Sequence, residues 1–413
     1  MNLDKQITEI ISATSPKVAE ILINEQRRQE RNFELIASEN YPSATVRAAL
    51  ASCAGNKYAE GYPDLNRKTG RKGRYYGGCE YIDELEEYCC DVWKQLFHTD
   101  YHVNVQPHSG THANFASYYA LLEPGDTILA MSLEAGGHLS HSAPVSQTAR
   151  FYNVITYGLD ENGYINYQEI FDKIEQHRPK LIILGASAYS RQIDYATVAA
   201  FLDAVRTFEY NPYLLADIAH ISGIIAAGKH PSPFGHADII TTTTQKIIRG
   251  PRGGIIFCKP ELAKKVDSTV FPATSGGPHE HTIAAKAICA EEAMTAEYQL
   301  NYIPKVLENA KAMADAFIYW DYKVITDGTD NHMFLVDLRS KYPNISGAQA
   351  QKALEQIKIT VNKNCVPGET RGPFEASGLR IGTPAMTTLG YDKKTFVTVV
   401  ERINQELRNL SKT

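Results

Sequence analysis

The chain has 413 residues, of which 43% are hydrophobic and 22% are charged, and its formal net charge is −5. This length is enough for one large and one smaller domain, and the acidic balance argues against a nucleic-acid-binding protein, which usually carries a basic face. Because no apolar run approaches the roughly 20 residues of a membrane-spanning helix, and residues 1–11 do not resemble a secretory signal, we expect a cytoplasmic protein without a membrane partner.

The first 30 residues have helical periodicity and many charges, which predicts a helical arm that packs against the body of the protein or a neighbour. From about residue 103 to residue 257, short β-rich runs alternate with helical segments. Such alternation predicts a mostly parallel sheet with crossover helices. The runs lie at 126–131, 151–157, 181–184, 213–216, 239–242 and 254–258.

Helical patterning dominates residues 282–320, and a second α/β section follows it. This section contains predicted strands at 334–337 and 359–362 and a final helix at 394–410. We therefore predict three parts, namely an N-terminal helical arm over 1–30, a large domain over 31–295 and a small C-terminal domain over 296–413.

Seven cysteines lie along the chain, and none belongs to a Cys-x-x-Cys pair. The odd number favours reduced thiols over a disulfide framework. We expect small buried side chains at these positions, and we predict no metal site.

The strongest chemical signal is Thr241-Thr-Thr-Thr-Gln-Lys246, which precedes a glycine-rich turn that ends at Gly254. Lys246 comes just after a predicted strand, among hydroxyl groups. Burial can remove the charge of such a lysine, and its neutral amine can form a Schiff base with an aldehyde cofactor. For this segment alone, a surface lysine in a turn is an equally good interpretation.

Asp217 stands at the carboxyl end of an apolar run, where active sites form in open α/β sheets. A carboxylate there could keep a pyridine nitrogen protonated, which makes a pyridoxal phosphate (PLP) ring an electron sink. An isolated aspartate at a strand end is more often a helix cap. The order of Asp217, His220 and Lys246 nevertheless favours PLP.

Two further segments suit such a cofactor. Ser109-Gly110-Thr111 precedes a helical run, and a hydroxyl group with backbone donors at a helix start suits a phosphate. Any helix cap has this composition, so the motif is weak by itself. His138 follows two glycines and could stack on a cofactor ring, although most such residues are ordinary loop histidines.

Three charged residues are candidates for substrate binding or acid–base chemistry. Arg380 lies in a glycine-flanked predicted strand, and its guanidinium group suits a carboxylate, although a structural salt bridge is commoner. Glu39 and Glu60 lie among aromatic residues and glycines, which can raise the pKa of a carboxyl group for acid–base chemistry. Taken singly, each glutamate is more often a surface or capping acid.

Together these segments resemble serine hydroxymethyltransferase, a family with the type I fold of PLP-dependent transferases. The resemblance runs from Glu34-Leu-Ile-Ala-Ser-Glu-Asn-Tyr-Pro42 to Gly378-Leu-Arg-Ile-Gly-Thr-Pro-Ala385. It implies a large, mostly parallel seven-stranded sheet domain with a smaller C-terminal α/β domain. It also implies reversible conversion of L-serine and tetrahydrofolate to glycine and 5,10-methylenetetrahydrofolate. Other matching segments are Asn56-Lys-Tyr-Ala-Glu-Gly-Tyr-Pro63, Arg74-Tyr-Tyr-Gly-Gly-Cys-Glu-Tyr81, Asp327-Gly-Thr-Asp-Asn-His332 and Ile359-Thr-Val-Asn-Lys-Asn364.

The resemblance also implies residue roles around PLP. Lys246 would form the Schiff base, Asp217 would contact the pyridine nitrogen, and His138 would stack on the ring. The residues near the phosphate would be Ser109 and Gly110, and those near the phenolic oxygen would be Ser187 and His220.

For the substrates, the resemblance implies that Arg380 and Ser38 hold the amino-acid carboxylate. Glu60 would be the acid–base group, with Tyr75 and Tyr76 beside it. A second subunit would supply the residues matching Tyr58, Glu60, Tyr76, Gly276 and Gly277, which implies a homodimer with shared active sites and leaves a tetramer open. The positions that match the folate site are Leu133, Gly137, Leu139 and Asn364.

Several positions depart from the family pattern. Gln245 replaces the usual histidine before the Schiff-base lysine, and Ala273-Thr-Ser-Gly-Gly-Pro278 replaces Gly-x-Gln-Gly-Gly-Pro. The stretch 64–73 is longer than usual. These changes leave open a folate-independent β-hydroxy amino acid aldolase or threonine transaldolase. Lys246, Asp217 and Arg380, together with the acidic net charge, argue against an inactive scaffold or RNA-binding relative.

Overall fold

The computed structural model describes residues 3–63 and 73–412. Except for its last residue, the predicted insertion at 64–73 lies outside the described residues. The strands are β1 Phe33–Glu34, β2 His102–Asn104, β3 Thr127–Met131, β4 Asn153–Tyr157, β5 Leu181–Leu184, β6 Tyr213–Asp217, β7 Ile239–Thr243, β8 Gly254–Cys258, β9 Lys323–Val324, β10 Met333–Asp337, β11 Ile359–Thr360, β12 Asn362–Asn364 and β13 Gly378–Gly382.

The helices alternate with these strands and then dominate the chain after β8. They are α1 Leu3–Ser12, α2 Pro16–Arg31, α3 Ala44–Leu50, α4 Glu80–Phe97, α5 Gly110–Leu121, α6 Leu139–Ser142, α7 Gln147–Phe151, α8 Tyr167–His177, α9 Tyr195–Val205, α10 Ser222–Ala226, α11 Ala263–Ser268, α12 Glu280–Met294, α13 Ile303–Tyr319, α14 Gly347–Gln356, α15 Pro384–Thr388 and α16 Lys393–Leu410.

Seven strands form the large sheet, in the order β2-β8-β7-β6-β5-β3-β4. Neighbouring strands are parallel except where β8 takes part, since β8 runs antiparallel to both β2 and β7. Alternate residues of β5 belong to different hydrophobic clusters, so apolar side chains cover both faces of the sheet. The predicted fold class, a large and mostly parallel sheet of seven strands, is confirmed.

The parallel strands bring predicted site residues to one edge of this sheet. Strand β6 ends at Asp217, β7 ends three residues before Lys246, and β5 ends three residues before Ser187. Strand β3 leads into the loop that carries His138. In open α/β sheets, ligands bind at this carboxyl edge.

A second hydrophobic core surrounds an antiparallel sheet with the order β12-β13-β10-β9. The run predicted as one strand at 359–362 is divided, because β11 pairs with β1 whereas β12 pairs with β13. Phe33 and Leu35 therefore pack in this second core. The domain boundaries at residues 30 and 295 remain predictions.

Helices α1 and α2 occupy the segment predicted as an N-terminal helical arm, which stays a prediction. Their one buried residue is Ala19, and ion pairs join Arg47 to Asp4 and Arg28 to Glu34. The arm exposes the large apolar side chains of Ile10, Val18, Ile21 and Leu22. Among residues 3–63 and 73–412, none of the helices combines the length and apolar content that a bilayer crossing requires.

Candidate active site

A cavity of about 620 Å³ lies at the carboxyl edge of the large sheet and extends to the second sheet. Its walls come from the loops after β3, β5, β6 and β7, and from β12 and β13. The predicted site residues that line it are Ser38, Ser109, Gly110, Leu133, Gly137, His138, Leu139, Ser187, Asp217, His220, Lys246, Asn364 and Arg380.

Lys246 is buried in the wall of this cavity, where it is 9% exposed. Burial lowers the pKa of its ammonium group to about 8, although the Asp217 carboxylate opposes this change. The positive charges of Arg380 and Arg252 act in the same direction as burial. Part of the amine is therefore neutral near neutral pH and able to attack an aldehyde.

Three donors hold the Asp217 carboxylate. Asn114 Nδ2 and His141 Nε2 each lie 2.9 Å from Oδ2, and the backbone N–H of Ala219 donates to Oδ1 at 3.0 Å. Burial alone would raise the pKa of Asp217, but the His141 hydrogen bond and the positive charges around the carboxylate hold it well below its usual value. Asp217 therefore stays negatively charged, as the partner of a protonated pyridine nitrogen must.

The sequence reasoning missed two of these donors, Asn114 and His141. Asn114 lies in the Ser109 segment, but a buried asparagine inside a helix has no distinctive sequence pattern. His141 follows His138 by three residues, a spacing that places side chains on one face of a helix. This spacing is the sequence signal that could have identified His141 as a site residue.

The imidazole of His138 is held by the start of helix α6. Its Nδ1 accepts a hydrogen bond from the backbone N–H of Ser140 at 3.1 Å and lies 2.7 Å from Ser140 Oγ. Burial is the main reason why the pKa of His138 is lowered to about 4, and the neighbouring His141 acts in the same direction. The ring is therefore neutral near neutral pH, which suits stacking on an aromatic cofactor.

Helix α5 begins at the cavity, since Ser109, Gly110 and Thr111 line it. Ser109 caps this helix, since its Oγ accepts a hydrogen bond from the backbone N–H of His112 at 3.1 Å. A Cβ atom at Gly110 would lie 2.6 Å from Thr243 Cγ2, so glycine permits the close approach of α5 to β7. The positive end of a helix of this length suits a phosphate group.

Arg380 lies on the opposite wall, on β13. Its Nη1 donates to the Ser187 carbonyl at 2.7 Å and its Nε donates to Asn362 Oδ1 at 3.1 Å. Within the described ranges, no carboxylate forms an ion pair with it, and burial lowers its pKa to about 10. The guanidinium remains charged and is available to a carboxylate from outside the chain.

His220 pairs with another histidine that the site prediction did not include. His220 Nδ1 lies 3.3 Å from Nε2 of His332, and the two rings are stacked. Burial lowers the pKa of His220 far below its usual value and that of His332 to about 3. Both rings are therefore neutral near neutral pH, so this pair supplies hydrogen-bonding groups without charge.

The positions predicted for folate line the same cavity as Lys246. Leu139 is 62% exposed, so it is not a core residue, and Leu133 is half-buried. Asn364 Nδ2 donates to the Cys365 carbonyl at 2.7 Å. An exposed leucine, a half-buried leucine and a polar amide thus line one cavity, together with Gly137.

Gln245 and Glu39 line the cavity as well. The backbone N–H of Gly253 donates to Gln245 Oε1 at 3.3 Å, so this side chain holds the glycine turn that follows Lys246. Burial raises the pKa of Glu39. The charges that act on the pKa of Lys246 are those of Asp217, Arg380 and Arg252 rather than that of Glu39.

The remaining predicted residues form a separate cluster outside this cavity. The Tyr58 and Tyr76 rings are 5.1 Å apart, and the backbone N–H of Tyr75 donates to the Glu60 carbonyl at 3.0 Å. All three tyrosines are exposed. Two glycines adjoin them, since a Cβ atom would lie 3.6 Å from Glu60 Oε1 at Gly276 and 3.5 Å from Tyr58 Cε1 at Gly277.

The cavity fits PLP. It combines a lysine amine of lowered pKa, a carboxylate that stays charged, a neutral imidazole and a helix N-terminus. A family model described as "Serine hydroxymethyltransferase" matches residues 11–403 of the chain. The match therefore includes both sheets, the cavity and the separate tyrosine cluster.

Proposed function

The chain belongs to the serine hydroxymethyltransferase family, and we propose that its cavity residues carry out the reaction of that family. The family consists of PLP-dependent enzymes that reversibly convert L-serine and tetrahydrofolate to glycine and 5,10-methylenetetrahydrofolate. Nothing in the fold or the family match favours the aldolase alternative.

In this proposal, Lys246 attaches the cofactor and Asp217 holds its pyridine nitrogen. His138 stacks on the ring, and Ser109 with Gly110 holds the phosphate. Ser187 and His220 lie near the phenolic oxygen. When bound, PLP stabilises the negative charge that develops at the α-carbon of the amino acid. Asn114 and His141 would keep Asp217 ionised and oriented for this purpose.

The observation that carries the proposal is Arg380, which lies in the same cavity as Lys246 and forms no ion pair with a carboxylate of the described residues. A buried guanidinium without a carboxylate is costly unless a ligand supplies one. We assign the carboxylate of serine or glycine to this position, with Ser38 as a further donor. This arrangement would place the amino group of the substrate towards Lys246.

The first prediction tests this assignment. Arg380→Ala should weaken glycine binding to the holoenzyme about 10- to 100-fold, because a charge-assisted contact is lost. Arg380→Lys should lose less glycine affinity, since it keeps the positive charge but not the paired donors of the planar guanidinium group. Arg402→Ala, at an exposed arginine of α16, serves as the control. Unchanged glycine affinity in Arg380→Ala would show that the carboxylate binds elsewhere.

We further propose a homodimer in which each subunit completes the other's site, with tetramers left open. Support comes from the separation of Tyr58, Glu60 and Tyr76 from their own cavity and from the exposed tyrosine rings. Within a shared site, Glu60 would transfer protons to and from the substrate. Gly276 and Gly277 would approach the cofactor phosphate of the partner.

The proposal also includes a folate site in the cavity, a cytoplasmic location and three domain limits. Leu133, Gly137 and Leu139 would contact the flat pterin ring while Asn364 binds its polar edge. A cytoplasmic location is supported by the seven cysteines, which are all free thiols in the structure, as is usual in a reducing compartment. We keep the division into an arm over 1–30, a large domain over 31–295 and a small domain over 296–413.

A further inference from the structure

Behind the start of helix α5 lies a buried lysine that the proposed reaction does not use. Lys286, in helix α12, is 1% exposed. Its Nζ donates to three backbone carbonyls, those of Val105 at 2.6 Å, Pro107 at 3.0 Å and Gly254 at 3.0 Å. All three acceptors are uncharged.

The positive charge of Lys286 is not neutralised by an ion pair in the part of the chain that the structure describes. Glu86, a carboxylate that acts on it, is already paired with Arg74 at 2.9 Å. Burial lowers the pKa of Lys286 to about 8, so the ammonium group is charged near neutral pH. A buried charge of this kind is costly without a counter-charge.

The three carbonyls connect Lys286 to the proposed phosphate site. The backbone N–H of Gly254 donates to the Pro107 carbonyl at 3.0 Å, and a Cβ atom at Gly254 would lie 2.2 Å from the Ser109 carbonyl oxygen. Gly253 leaves room for the lysine, since a Cβ atom there would lie 2.4 Å from Lys286 Cε. The ammonium group therefore lies directly behind residues 105–110.

The charge also acts on the surface of this segment. Burial is the main cause of the lowered pKa values of His108 and His112, and the positive charge of Lys286 contributes to both. The same field would attract an anion bound at the start of α5.

We propose that Lys286 is the buried counter-charge of the cofactor phosphate, and that it acts through the backbone of residues 105–110. It is a positioning residue that fixes this segment against Gly254 and adds positive charge behind it. The inference rests on the proposed assignment of Ser109 and Gly110 to the phosphate.

The test compares pyridoxal phosphate with pyridoxal, which lacks the phosphate, as ligands of the apoprotein. Lys246 reacts with both aldehydes, so the ratio of their dissociation constants isolates the phosphate contribution. Lys286→Met should weaken pyridoxal phosphate binding about tenfold or more and change pyridoxal binding less than about twofold. Lys286→Arg should reduce the preference for pyridoxal phosphate over pyridoxal less than Lys286→Met does. Lys305→Met, at an exposed lysine of α13, should leave this preference unchanged.

If Lys286→Met loses affinity equally for both ligands, or loses it for neither, the inference is overturned and Lys286 is structural. If Lys286→Met does not fold, the wild-type protein gives the answer. Its affinity ratio should fall as the pH rises above about 8, because Lys286 then loses its charge, and a constant ratio would contradict us. Ser109→Ala tests the proposed phosphate site itself. If Ser109→Ala reduces the affinity ratio and Lys286→Met does not, the phosphate assignment stands and the role proposed for Lys286 is excluded.

Discussion

At the scale of single residues, the site depends on a buried lysine and a largely buried carboxylate whose charges influence each other. Burial lowers the pKa of Lys246, and the negative charge of Asp217 limits that decrease. Asp217 in turn stays ionised because His141 and Asn114 bind it. The lysine is therefore reactive near neutral pH while the carboxylate remains charged.

The second prediction concerns the pH dependence of cofactor capture by the apoprotein. Only the neutral amine attacks the aldehyde, so the rate should rise with pH through about 8 and then level off. Asp217→Asn removes the charge that raises the pKa of Lys246, so its profile should shift to lower pH. Stopped-flow absorbance with pyridoxal phosphate measures both profiles.

Asp315→Asn, at an exposed aspartate of α13, is the matched control for this experiment. Its profile should coincide with that of the wild type. A profile of Asp217→Asn that shifted to higher pH, or did not shift, would contradict the proposed coupling of Asp217 and Lys246.

Sequence reasoning found the residues whose chemistry is unusual and missed those whose role depends on tertiary contacts. Lys246, Asp217 and Arg380 each belong to a distinctive motif, and all three line one cavity. His141, Asn114 and Lys286 are ordinary residue types inside helices. Their roles follow from hydrogen bonds to residues at least 32 positions away, and apart from the spacing of His138 and His141 no local pattern indicates them.

At the scale of elements, the buried strands were the most predictable. The predicted runs 181–184 and 254–258 coincide with β5 and β8, because strands buried on both faces are continuous apolar runs. Strand β2 has only three residues, of which two are polar, and it is held by pairing with β8. The division between β11 and β12 was also unpredictable, because it depends on the separate partners β1 and β13.

The third prediction concerns Asn364 at the end of β12. Its backbone pairs with Gly378, so truncation of the side chain should leave the strand intact. Asn364→Ala should reduce folate-dependent serine turnover about tenfold or more through a lost polar contact. Cleavage of allo-threonine or phenylserine, which needs no folate, should stay within about twofold of the wild type.

Asn153→Ala is a suitable control, because Asn153 makes the same kind of contact, from Nδ2 to a backbone carbonyl at 2.7 Å, on β4. It should affect neither reaction. Equal losses in both reactions of Asn364→Ala would assign Asn364 a structural role.

At the scale of the whole molecule, the surface that carries Glu60 is separate from the cavity that it would serve. Tyr58, Tyr75 and Tyr76 are exposed there, and the N-terminal arm exposes four large apolar side chains. A second copy of the chain that covers these side chains would bury apolar area and complete two sites at once.

The fourth prediction uses this symmetry. Lys246→Ala and Glu60→Gln should each be nearly inactive alone. In a mixed dimer, one of the two sites contains both wild-type residues, so denaturing and refolding the variants together should recover up to about half the activity per mixed dimer. If tagged mixed dimers form and show no activity, a shared site is excluded.

In the proposed function, this cavity binds glycine on PLP and tetrahydrofolate beside it. The most direct measurement is the visible absorbance spectrum of the holoenzyme with saturating glycine, before and after addition of tetrahydrofolate. We predict a weak long-wavelength band with glycine alone that grows severalfold when the folate is added, because the folate favours loss of the glycine proton. A band that is unchanged by saturating tetrahydrofolate, in an enzyme that still cleaves allo-threonine, would contradict the account and favour a folate-independent aldolase.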